Sequence, residues 1–60
     1  MDITDAKRRG YEARLVAKGN RGSFWQVYLA GQPIDDQEFG TETDAWTHAI
    51  NLINAGEYNH

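Results

Sequence analysis

Ser23-Phe24-Trp25-Gln26-Val27-Tyr28-Leu29 decides the fold of this chain. Aromatic and β-branched residues crowd it, which favours a pleated strand over a helix. Side chains alternate across a strand, so Trp25, Val27 and Leu29 fall on one face and Phe24, Gln26 and Tyr28 on the other.

Upstream, Gly19-Asn20-Arg21-Gly22 reads as a hairpin loop, because glycine and asparagine tolerate the positive φ that tight turns require. Before it, Tyr11, Ala13, Leu15 and Ala17 alternate with Glu12, Arg14, Val16 and Lys18. Period two predicts a half-buried strand over about 11–18. A helix over 4–18 competes with it, since Ala, Arg, Glu, Leu and Lys are good helix formers and Gly19 would cap it. The alternation favours the strand. Residues 1–10 are polar, contain Lys7-Arg8-Arg9 and end at Gly10, which predicts a basic N-terminal arm ahead of one domain over 11–60.

Downstream, Ala30-Gly31-Gln32 turns the chain into a third strand over about 33–39, with Pro33 placed first because it has no N–H to give to a ladder. Thr41-Glu42-Thr43-Asp44 is a helix start: the Thr41 hydroxyl can accept from the backbone near Asp44, as in a capping box. Ala45, Trp46, Ala49, Ile50, Leu52 and Ile53 then form a stripe at helical spacing, and Gly56 stops the helix at about 55. The expected fold class is α+β, a three-stranded antiparallel sheet (about 11–18, 23–29, 33–39) followed by one helix (about 42–55). The stripe has one place to bury itself, the face carrying Leu15, Trp25, Val27, Leu29, Ile34 and Phe39.

Sixty residues allow one such core, because a chain of this size buries only about 60 % of its unfolded surface. At roughly 0.05–0.15 kcal/mol per residue its stability is about 3–9 kcal/mol. No cysteine is present, so disulfides and thiolate metal sites are excluded. The sequence shows no apolar leader and no run approaching a membrane span. The expectation is a cytoplasmic protein with no membrane partner.

Net charge is −3, yet the signs are segregated. Lys7, Arg8, Arg9, Arg14, Lys18 and Arg21 carry all the positive charge, and from Asp35 onward every charged residue is acidic. Such a chain can present a basic surface despite its acidic balance.

Trp25-Gln26-Val27, Gly31 and Phe39-Gly40-Thr41 followed by Ala45 and Ala49 resemble two DNA-binding families over about half the chain. These are the arm-type domains of phage-like tyrosine recombinases and the plant ethylene-response-factor domains. The resemblance implies a three-stranded sheet backed by one helix, with DNA read by basic residues on the strands. Here the third strand carries Asp35, Asp36 and Glu38 instead, which argues for a protein partner over nucleic acid.

The candidate binding face is Arg14, Val16, Lys18, Phe24, Gln26 and Tyr28. Aromatic and basic groups interleaved on an open sheet suit base stacking and phosphate contact, a protein partner, or plain cross-strand stabilisation. Lys7, Arg8 and Arg9 are a candidate phosphate-binding arm, although such runs are commonly just solvated. Phe24, Val16 and Tyr28 also offer a surface on which two copies would form a homodimer.

No enzyme is expected. Ser23 has no partner base nearby in sequence, Gly19–Gly22 precedes a strand and so makes no phosphate loop, and Asp35-Asp36-Gln37-Glu38 lacks the spacing of a calcium loop. His48 falls opposite the apolar stripe, toward solvent, and His60 is the last residue, so neither a metal site nor a cofactor is anticipated. Trp25 and Trp46 read as core. The sequence thus points to a non-enzymatic binding or accessory domain of bacterial or phage type. A DNA-binding module is the alternative.

Overall fold

The computed structural model describes residues 2–56. Helix α1 (Ile3–Arg8) leads into strand β1 (Tyr11–Ala17), a single 3-10 turn (Gly19–Arg21) and strand β2 (Ser23–Leu29). A two-residue strand β3 (Gln32–Pro33) and helix α2 (Glu42–Asn54) follow. The sheet is antiparallel in the order β1-β2-β3, and α2 packs against β1 and β2. This is the α+β arrangement that the sequence pattern implies.

The β1–β2 register sets Tyr11 opposite Leu29, Ala13 opposite Val27 and Leu15 opposite Trp25. These pairs share the inner face, so the two sequence alternations are in phase and one surface becomes apolar. Across it lies α2, burying Ala45, Trp46, Ala49 and Ile53. Together with Ala6, Tyr11 and Val27 they form the core, and Ala13, Trp25, Leu29, Ile34 and Phe39 pack around them. The alanines of α2 let the helix approach the sheet closely, while Trp46 supplies the bulk. Thr41 caps α2 as its sequence suggests, its hydroxyl oxygen accepting from the Asp44 N–H at 3.2 Å. At the other end the Gly56 N–H returns to the Ile53 carbonyl at 3.0 Å.

Residues 3–8 are helical and docked, which corrects the reading of 1–10 as an arm. The Asp2 carboxylate accepts from the Asp5 N–H at 3.0 Å and so starts the helix. Ala6 is fully buried, small enough to seat one turn against the core, and Lys7 holds its ammonium 5.7 Å from the Trp46 ring centroid. Gly10, at φ +95°, then reverses the chain into β1. The helix formers of residues 4–18 are therefore used for two turns only, and the alternation takes over once Gly10 breaks the helix.

The third strand is far shorter than the 33–39 expected from sequence. The Ile34 N–H still bonds the Val27 carbonyl at 3.1 Å; the chain then leaves the ladder, and Phe39 rejoins it, exchanging both backbone hydrogen bonds with Trp25 at 2.7 and 2.9 Å. Between them Asp35 folds the segment on itself: its Oδ1 accepts from the Gln37 N–H at 3.1 Å. Its backbone carbonyl accepts from Gln26 Nε2 at 2.8 Å, so a side chain replaces the missing ladder bond.

Leu15 also departs from expectation. It sits on the inner face but is 58 % exposed, because the hairpin runs on past the surface that α2 covers. The molecule is accordingly elongated, 38 × 19 × 17 Å.

Candidate binding face

Glu12, Arg14 and Val16 pair with Tyr28, Gln26 and Phe24 on the outer face of the hairpin. The structure thus brings together all six residues of the sequence-derived face, with Lys18 at its end. Each long cation reaches diagonally across the strands to a ring, as diagonal neighbours in a sheet permit. The Arg14 guanidinium carbon lies 4.5 Å from the Tyr28 ring centroid, and Lys18 Nζ lies 4.9 Å from that of Phe24.

Both cations are also held by carboxylates. Arg14 donates through Nε and NH2 to the two Glu12 oxygens at 3.2 and 3.0 Å. Lys18 Nζ lies 2.8 Å from Glu38 Oε2. Hydrogen bonding from Arg14 holds the Glu12 carboxyl below its ordinary pKa, and the same bond raises that of Arg14. The four charges cancel. What remains is a flat strip of cation-covered aromatic rings with carboxylates at its margins, half-buried under its own side-chain stems.

Gln26 is committed elsewhere, since its amide ties the face to the Asp35 carbonyl. Asp35 is the joint that sequence reasoning missed. Its Oδ2 meets His48 Nε2 at 2.8 Å, and the His48 ring packs on Phe39 with centroids 5.0 Å apart. His48 is therefore a half-buried link from α2 to the 34–38 segment, correcting its assignment to solvent. Nothing in the sequence ties Asp35 to His48, because neither residue stands in a motif and the contact forms only when α2 crosses the sheet.

Lys7, Arg8 and Arg9 occupy the end of α1 and its cap, where positive charge complements the helix dipole. Lys7 lies over Trp46, and the Arg9 N–H bonds the Ala6 carbonyl at 3.1 Å, so the trio sits on a helix and its cap instead of an extended arm. Among the described residues no cluster of three or more potential metal ligands forms, and no pocket opens on the surface. No helix there is long and apolar enough to cross a membrane. His60 lies outside the described residues.

Compared with known proteins, the chain matches no family model, no curated protein and no solved structure.

Proposed function

We propose that this domain is a non-enzymatic binding module that contacts another protein through the outer face of its sheet. The observation that carries the reading is the pair of cation–ring stacks, Arg14 on Tyr28 and Lys18 on Phe24, each cation also bonded to a carboxylate. Tyrosine and arginine recur at the energetic centres of protein interfaces. Here they are already ordered, which lowers the entropy lost on association. A nucleic acid would need bare ring faces for its bases and uncompensated cations for its phosphates. This face supplies neither, because the rings are covered by the cations and the cations are neutralised by Glu12 and Glu38.

Capture from a bacterial lysate onto the immobilised domain, with and without nuclease and across a salt series, tests the reading. A specific protein should be retained that survives nuclease, changes little with salt, and is lost by a Phe24→Ser, Tyr28→Ser double variant that remains folded. Capture that disappears with nuclease and falls steeply with salt would instead favour DNA. In that case Arg14→Ala with Lys18→Ala should flatten the salt slope by roughly two phosphate contacts.

A further inference from the structure

The hairpin has a second surface, distinct from its outer face: the free edge of β1. Among the described residues, the sheet order leaves β1 without a neighbour on one side. Its backbone groups can be assigned from the bonds at either end of the ladder. The Lys18 N–H bonds the Gly22 carbonyl at 2.7 Å, and the Ala30 N–H bonds the Gly10 carbonyl at 3.2 Å. Bonded pairs alternate along an antiparallel ladder, so Glu12, Arg14 and Val16 are bonded to β2. The N–H and C=O groups of Ala13, Leu15 and Ala17 therefore point outward. Trp25 agrees, because it spends its own backbone groups on Phe39, on the side of β2 away from Leu15.

That edge lacks two of the usual guards of an unpaired strand, its charges standing only on the outer face. Residues 11–17 contain no proline, and no charged side chain points to the inner face. Ala6 of helix α1 shares the core with Tyr11, and farther along the strand Ala13 is half-buried while Leu15 and Ala17 are exposed. At the midpoint of Ala13–Ala17 sits Leu15, the most exposed large apolar residue among those described.

We infer that β1 pairs edge to edge with β1 of a second copy of this chain, antiparallel about a two-fold axis at Leu15. Several observations select this occupant and register. A two-fold axis at the middle of this stretch sets Leu15 against the partner's Leu15, with both sets of outward backbone groups facing the shared edge. Ala13 then lies opposite the partner's Ala17, and small side chains let the strands approach. On the outer face, Glu12 meets the partner's Lys18, and Lys18 meets the partner's Glu12, giving two cross-strand pairs of opposite charge. Shifting the axis one residue to Arg14 stacks Arg14 on its own copy, which like-charge repulsion disfavours. Lys18, bonded to Glu38 and 44 % exposed, retains donors for a second carboxylate.

The product is a continuous six-stranded sheet in which Leu15 is covered by its mate and the two outer faces lie side by side. So short an edge buries less than the roughly 1,600 Å² of a standard interface, so the dimer belongs to the weak, concentration-dependent class. This inference rests on the β1 edge and stands or falls separately from the reading of the outer face.

Sedimentation from about 10 µM to about 1 mM spans the range in which such a dimer assembles. The mass should rise toward that of two chains, while amide exchange at Ala13, Leu15 and Ala17 slows with concentration. Glu12→Lys alone and Lys18→Glu alone each place like charges opposite one another, so each should weaken self-association by about tenfold. Mixing the two variants restores both opposite-charge pairs and should recover the dimer, which no loss of folding can imitate. A monomer at every concentration, or variants that fail to recover on mixing, would overturn the inference. So would a dimer that survives either charge change and is lost in the Phe24→Ser, Tyr28→Ser variant, which would place the contact on the face.

Discussion

Replacing Trp46 with Ala should remove most of the stability of this domain. Trp46 is 4 % exposed, and its neighbours in the core include Ala6, Ala45 and Ala49, whose methyl groups are too short to fill the space left by an indole. The cavity therefore persists, and large-to-Ala changes at aromatic core sites cost about 3–5 kcal/mol. The change also removes the indole N–H that donates to Glu42 Oε2 at 3.2 Å, and the ring under Lys7. Against a total of about 3–9 kcal/mol, the variant sits near its unfolding midpoint in water. Urea titration followed by far-ultraviolet circular dichroism is the suitable assay, because Trp25 would keep contributing fluorescence. Trp46→Phe keeps much of the ring and loses the N–H donor, and should cost about 1–2 kcal/mol. A loss below about 1 kcal/mol for Trp46→Ala would refute the placement of this residue as the bulk of the core.

Two further expectations come from local structure. Gly10→Ala should destabilise by about 1–3 kcal/mol, since φ is +95° and a Cβ there meets Leu29 Cδ1 at an ordinary 3.7 Å, leaving backbone strain as the cause; unchanged urea midpoints would show that the turn relaxes freely. The Glu12 carboxyl should titrate by NMR below an unfolded-state glutamate, and Arg14→Ala should move it back up. Because the folded-state value is the lower one, the stabilisation is present above the unfolded-state pKa and is lost as pH falls through the folded-state pKa. A Glu12 midpoint insensitive to Arg14→Ala would remove the hydrogen bond as its cause.

Much of the outer face was legible because strand alternation is a local property. Once Tyr11–Ala17 and Ser23–Leu29 are strands joined by a short loop, parity puts Arg14, Val16, Phe24, Gln26 and Tyr28 on one side. Sequence alone did not show that the cations lie over the rings and are neutralised there. Those contacts depend on diagonal reach across the register and, for Lys18, on Glu38 returning beside the hairpin from a distant part of the chain.

The same division runs through the fold. Residue order by itself determined the hairpin, the Thr41 cap and the apolar stripe of α2, because period, turn chemistry and capping act within a few neighbours. Tertiary structure decided the rest. Residues 3–8 carry both helix formers and a polar surface, and became a docked helix because Ala6 fits against a core that exists only after α2 has crossed the sheet. The acidic 35–38 segment left the ladder because the Gln26 amide and the His48 ring supplied Asp35 with partners from other elements. Leu15 belongs by alternation to the buried face, yet stays exposed because α2 does not reach the end of the hairpin. Alternation sets which face a side chain occupies, but what covers that face depends on the lengths and crossing of elements far apart in the chain.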